Sequence, residues 1–493
     1  VSAGVVAADA ADALNTQVKR GLAWKAVSTV ALQGLRLVTA ITLAHLLTPH
    51  QYGVAGMVLV FASLILVFSD LAFGSALIHR EQLSEADRST VFWTSTGVGL
   101  LLTLVGVAMS WPLAAFYNEP AVQPLCAALS LGFVVTAATS TQTALLMRDM
   151  NFRTLELRQI ASAAVGAVVG ITLAARGAGA WAIIAQQLAI AVVSSLMLWV
   201  WTPWRPKFTF SMASLRSMAG YSGNILGSRL LFYVNRNIDN ILVGRFLGPA
   251  ALGAYQVGYN LMLAPLNQLA SPAQEVLFPA LARVQDDPER LGAAWVRAVR
   301  LIGAVAVPAL AGLAVTAPDF VRGLLGERWA PAIPIIQVLC WVGLLQSLQG
   351  FNSAVLRAVD ATRVLLRYSV IVSVASTIAF VAGLPFGVVG VAAAYAISST
   401  LVEPYYAVLT ARAANVPLRR LLGALSGVAA AAVLMASAVL TLRLGLTHAG
   451  VTPLPRFGAE IVLGALLYVP LCHLLAPEVT REARRLWSPR RAA

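Results

Sequence analysis

Stretches of about 20 consecutive, mostly apolar residues recur along this chain with little charge inside them, and few properties limit a fold more tightly. A segment of that length and composition reaches across the hydrocarbon core of a bilayer. Within that core no water bonds to a peptide group, so the backbone must satisfy its own hydrogen bonds, and segments this long do so as helices. They lie near 22–47, 53–78, 89–111, 121–146, 156–176, 178–201, 218–246, 250–275, 293–316, 332–356, 364–385, 387–410, 419–441 and 457–476. The fold class they predict is all-α: a polytopic membrane protein with about 14 transmembrane helices. Composition agrees, with 59% of residues hydrophobic and 11% charged, against roughly one quarter charged in soluble proteins.

A net charge of +14 raises the question of nucleic acid. The distribution of the basic residues answers it. Most lie in short connections on one side of the predicted spans, and the other side holds only Arg176, Arg245, Arg322, Arg328, Arg443 and Arg456. That asymmetry is the topological signature of a membrane protein, and it places both termini in the cytoplasm. No nucleic-acid partner is expected. No connection is long enough for a soluble domain, and no basic n-region precedes the first apolar run, so no signal peptide is expected. Cys126, Cys340 and Cys472 fall inside apolar segments without pairing or metal-ligand spacing, and read as small buried hydrophobes.

"HLLTPHQYG" (His45–Gly53) aligns without gaps to "RFLGPAALG" (Arg245–Gly253), 200 residues later. Each closes one span and opens the next, and the prolines are expected to stop the outgoing helix. The same register sets Arg36 opposite Arg236. The spacing predicts two pseudo-symmetric six-helix lobes of like orientation, with a substrate site between them as in parallel-repeat transporters, plus two C-terminal helices. The domains are then a cytoplasmic N-terminal tail over 1–20, an N-lobe over 21–201, a cytoplasmic linker over 202–217, a C-lobe over 218–410, two further helices over 411–476, and a basic cytoplasmic tail over 477–493.

Ionisable groups facing lipid cost roughly 2.5–3.5 kcal/mol each on insertion scales, so those inside spans should share a protected face. At about 100° per residue, Arg229, Tyr233, Arg236 and Asn240 fall within about 60° of one another on the seventh span. On the first span, Lys25 and Gln33 lie on the same side as Arg36. Arg36 and Arg236 each stand thirteen residues before their proline, roughly 20 Å from the outer surface at about 1.5 Å per residue. Lys25 also fits a residue snorkelling to the inner interface, and Asp70 a counter-charge for the first span. Asp239, three residues after Arg236, has the spacing of an intrahelical pair. With cations in excess of carboxylates, the surface suits an anion, and a guanidinium presents a fork matched to phosphate oxygens. Glu156, Glu275 and Glu403 sit near inner helix ends and read as interfacial; Glu460 lies in the last span near its outer end. There is no catalytic or zinc constellation and no glycine-rich nucleotide loop, so neither an enzyme nor a cofactor is expected.

"LAHLLTPHQYGVAGM", "RNIDNILVGRFLGPAALGAYQVGYNLMLAP", "FPALARVQDDPERL" and "GERWAPAIPIIQVL" resemble the polysaccharide-exporter branch of the multidrug/oligosaccharidyl-lipid/polysaccharide flippase superfamily, in particular Wzx-type exporters of exopolysaccharide and lipopolysaccharide repeat units. The resemblance covers about residues 20–476. It implies two six-helix lobes in a V around a central cavity, and the flipping of undecaprenyl-diphosphate-linked oligosaccharide from the inner to the outer leaflet of the cell membrane. It implies that cavity cations engage the lipid diphosphate, which by position falls to Arg36 and Arg236 and then to Lys25 and Arg229. Expected partners are the lipid-linked oligosaccharide, membrane lipids, and polysaccharide polymerase or export machinery. His45 departs from the arginine that the resemblance leads one to expect there. The competing reading is an ion-coupled drug or cation antiporter of the same superfamily, which calls for a carboxylate-rich cavity.

Overall fold

The structure, a computed structural model, describes residues 24, 28–29, 31–69, 77, 83–212, 215–216, 222–265 and 287–487. For 66–69, 222–232, 234–235, 264–265, 288 and 483–487 it describes the backbone alone. Every regular element among these residues is helical: α1 Ala31–Leu46, α2 Pro49–Ser69, α3 Glu85–Tyr117, α4 Val122–Ala137, α5 Ser140–Arg148, α6 Phe152–Ala175, α7 Trp181–Trp201, α8 Ser222–Pro265, α9 Pro288–Phe320, α10 Ala332–Gln349, α11 Asn352–Ala358, α12 Thr362–Gly383, α13 Gly387–Ala413, α14 Leu418–His448, α15 Pro453–Leu475 and α16 Pro477–Trp487. Helix covers most of the described residues of each stretch read as a span. Among the described residues eight helices are long and apolar enough to cross a membrane, or nine if the pair α4–α5, bent by 42°, counts as one. The chain forms two compact units, Val1–Ala250 and Ala251–Ala493.

The two aligned segments each build a helix break, by different means. After α1, Thr48 caps α2: its Oγ1 accepts from the Gln51 amide at 3.2 Å, and the Gln51 side chain accepts from the Thr48 amide at 3.0 Å. In α8 the helix breaks at Gly248, whose φ of 84° and ψ of 177° lie where only glycine rests comfortably. In both copies proline is the first residue of the returning helix, where its missing N–H and fixed φ suit it. The prolines therefore open the second helix of each pair; Thr48 and Gly248 end the first.

In the first unit α3 packs on α4, and α6 on α7. Close approach depends on absent side chains: a Cβ on Gly106 of α3 would stand 2.3 Å from Ser130 Oγ of α4. The "RGAG" link turns between α6 and α7 through positive φ at Gly177 and Gly179. In the second unit α9 is central, packed on α10, α14 and α15. Around it lies a core holding Leu291, Trp295, Val299, Phe351 and Val355. The Trp295 indole donates to Asn352 Oδ1 at 3.0 Å, so the buried ring brings its polar atom a partner. All three cysteines are buried and unpaired.

Two stretches read as loops are more ordered than their sequence announces. From 202 to 212 the chain runs as an extended strap along the start of α3. The amides of Lys207 and Ser211 donate to Ser89 Oγ (3.1 Å) and Thr90 Oγ1 (2.9 Å), and the indoles of Trp93 and Trp204 donate to the Lys207 carbonyl and Glu85, each at 2.9 Å. Arg205 turns back on the carbonyl end of α7, donating to Trp199 O at 2.7 Å, where a cation also meets the helix dipole. The segment expected as a basic tail from 477 begins as α16 and docks through its acids: Glu478 and Glu482 pair with Arg300 of α9, and Glu482 also meets Arg297 at 3.4 Å.

Candidate functional site

The predicted cationic face rests on α1 and the first arm of α8. Arg36 and Arg236 are both exposed, and neither has an ion pair among the described residues. Both belong to the first unit. Inside a bilayer a guanidinium held open on such a helix would need water or an anion, because lipid alone would cost it several kcal/mol. Gln33, one turn before Arg36, is half-buried.

The other polar groups of this arm are spoken for. Tyr233 is buried and donates its hydroxyl to the Val60 carbonyl, which fastens α8 to α2. Asn237 returns its amide to the Tyr233 carbonyl at 3.0 Å. Asp239 does not pair with Arg236. It is 2% exposed, and its Oδ1 accepts from the Asn240 amide at 2.8 Å and the Asn240 side chain at 3.2 Å. Asn240 is buried with it. The aspartate is thus buried and the arginine exposed, although their spacing makes them neighbours on the helix. Near the end of this arm the Arg245 guanidinium sits 5.6 Å from the Phe116 ring of α3. Arg229 lies within α8, with its backbone alone described; Lys25, Asp70 and Glu275 lie outside the described residues.

Two buried polar groupings were not anticipated, both in the second unit. Glu403 of α13 is 5% exposed rather than interfacial, and accepts from the Tyr368 hydroxyl of α12 at 3.0 Å. Tyr368 stacks on Tyr406 with ring centroids 3.7 Å apart. The stretch 442–456, read as an outer loop, is mostly the end of α14 and the start of α15. Arg443 and Arg456 fold inward there onto Asp319 of α9, at 2.8 and 2.6 Å. Glu460, one turn beyond Arg456, is buried beside them. The signal was present as the i, i+4 spacing of Arg456 and Glu460. Among the described residues no group of histidine, cysteine and carboxylate side chains is arranged to hold a metal ion.

The profile of a family described as "Polysaccharide biosynthesis protein" matches residues 42–334. Among curated proteins, the lipopolysaccharide biosynthesis protein WzxC of Escherichia coli (strain K12) is 29% identical over 352 residues, 71% of this chain and 72% of its own length. The teichuronic acid biosynthesis protein TuaB of Bacillus subtilis (strain 168) is 27% identical over 353 residues, 70% of this chain and 72% of its own. The succinoglycan biosynthesis transport protein ExoT of Rhizobium meliloti (strain 1021) is 26% identical over 361 residues, covering 73% of each. Among solved structures, the lipid II flippase MurJ in an inward closed conformation aligns with a TM-score of 0.72 at 16% identity, covering 92% of this chain and 99% of that one. An inward-facing multidrug transporter of the MATE family aligns with a TM-score of 0.62 at 15% identity, covering 77% and 94%. The fold is that of these polytopic transporters.

Proposed function

Because this chain belongs to the polysaccharide biosynthesis protein family, we propose that it is the flippase of a polysaccharide pathway, carrying undecaprenyl-diphosphate-linked repeat units from the inner to the outer leaflet of the cell membrane, with both termini cytoplasmic. Its relatives WzxC, TuaB and ExoT are named for lipopolysaccharide, teichuronic acid and succinoglycan. The substrate assigned here is a lipid-linked intermediate, whose lipid diphosphate can be common to different polymers. The protein moves its substrate and makes or breaks no covalent bond in it.

The observation that carries this reading is the pair of arginines on α1 and α8 that are exposed and have no ion pair among the described residues. A diphosphate supplies oxygens to both guanidinium forks, and the apolar spans around them suit a polyprenyl chain. Arg36 and Arg236 are assigned the lipid diphosphate, with Arg229 and Lys25 as an approach toward it from the cytoplasmic side. Gln33 stands by Arg36, while Tyr233, Asp239 and Asn240 hold the α8 arm in place; Asp70 is assigned to charge balance.

Depletion of the protein in cells that make the polymer tests the assignment. The expected outcome is lipid-linked oligosaccharide accumulating where an impermeant glycosidase or lectin outside the membrane cannot reach it. If the intermediate accumulates accessible to the probe, the protein acts after flipping and the proposal fails.

A further inference from the structure

We propose that Glu460 binds a proton, and that this proton decides whether Arg456 ties α15 to α9. The inference is independent of the substrate assignment.

Asp319, 1% exposed, receives both available cations: Arg443 Nε donates to Oδ2 at 2.8 Å and Arg456 Nη2 to Oδ1 at 2.6 Å. Each arginine makes one further contact, though the Arg456 Nε has no partner among the described residues. Arg443 donates to the Val315 carbonyl at 3.3 Å and Arg456 to Thr447 Oγ1 at 2.6 Å. Glu460 is likewise 1% exposed, and neither of its carboxylate oxygens has a hydrogen-bond partner among the described residues. It stands one turn beyond Arg456, the residue that reaches Asp319, so both buried carboxyls belong to one cluster.

An ionised carboxylate only accepts, so two of them buried side by side repel and leave Glu460 unsatisfied. One proton removes both problems: the Glu460 hydroxyl becomes a donor to Asp319, and a single negative charge remains between two guanidiniums. The surrounding arginines disfavour a metal ion in the same place. The other charged groups near this end, Arg322, Glu327, Arg328 and His448, are exposed; Arg322 pairs with Glu327, and His448 meets the Leu444 carbonyl.

Loss of the proton makes Glu460 an anion one turn from Arg456 on the same helix, a spacing that favours a pair. Arg456 then has a partner on its own helix and releases Asp319 of α9. Arg443 remains on Asp319, so α14 stays fastened while α15 loosens. The proton is a clamp between the last helix hairpin and the body of the second unit.

Infrared difference spectroscopy of the full chain in lipid vesicles reads the proton directly. At neutral pH the wild type should show a carboxylic-acid carbonyl band that Glu460→Gln removes. Asp319→Asn should remove it too, because both guanidiniums are then free to hold Glu460 ionised. Exchanging potassium for sodium at fixed pH should leave the band unchanged. The clamp is read from spin labels on Arg328→Cys and Leu454→Cys. Their distance distribution should broaden in the wild type as pH rises through the loss of the band, and stay narrow in Glu460→Gln. A wild type without a Glu460-dependent band, a band that survives Asp319→Asn or responds to sodium, or a label distance indifferent to the band overturns the proposal.

Discussion

Truncating the two exposed arginines to alanine, singly and together, separates a binding role from a structural one. Neither Arg36 nor Arg236 has an ion pair among the described residues, so truncation orphans no carboxylate among them. Folding stability should move by no more than about 0.5 kcal/mol, the scale of surface changes that touch nothing special. Binding should respond very differently. A hydrogen bond to a charged group is worth about 1.5–3 kcal/mol, and about 1.4 kcal/mol is tenfold in affinity. Each single variant should then weaken binding of undecaprenyl diphosphate by roughly 10- to 100-fold. If both forks hold one diphosphate, the remaining fork recentres on the phosphates when the other is lost. The double variant should depart from additivity by about 0.5–3 kcal/mol, as groups sharing a ligand do. Lysine at either position should restore part of the affinity, since it keeps the charge and loses the fork. The assay is titration of the purified protein in nanodiscs with undecaprenyl diphosphate, beside thermal unfolding of the same samples. Unchanged affinity in the double variant refutes the assignment. A large fall in Tm without a fall in affinity shows that the arginines hold the fold instead.

Gly106→Leu should force α3 from α4 and destabilise the first unit by about 1–3 kcal/mol, the usual cost of overpacking, seen as a lower Tm in detergent. Arg300→Ala should leave Glu482 half-buried without its main cation, at a cost of about 2–4 kcal/mol for a partly buried pair; limited proteolysis should then release the end of the chain from α16 onward. Trp204→Phe keeps the ring and loses the donor to Glu85, about 1 kcal/mol; faster amide exchange over 203–211 checks it.

What the sequence made legible follows from the bilayer. Twenty apolar residues have few ways to satisfy their backbones, so the helices and their approximate ends could be read directly. The duplicated segment was legible as two helix breaks, though not which residue makes each. The misreadings share another cause: they concern polar groups whose partners are distant in sequence. Ser89 and Thr90 look like ordinary positions early in a helix until the strap from 207 to 211 donates to them. The run after 477 looks basic by count, yet its two acids dock it on Arg300, 182 residues from Glu482. Asp319 lies 124 residues from Arg443, and nothing local announces that they meet. For the candidate site, the sequence picked out Arg36 and Arg236 by depth. It could not foresee that Asp239, on the same arm, would turn to Asn240 instead.

The two helix breaks of the repeat place opposite demands on variation. At Thr48 the break is held by a side chain, so any residue able to accept from the Gln51 amide, such as serine, asparagine or aspartate, does the same work. At Gly248 it is held by the backbone conformation itself, which a Cβ forbids. The two turns would thus drift at different rates: the first position can change identity while Gln51 persists, and the second is confined to glycine. Where a related sequence carries another residue at the second position, the turn itself has been rebuilt there.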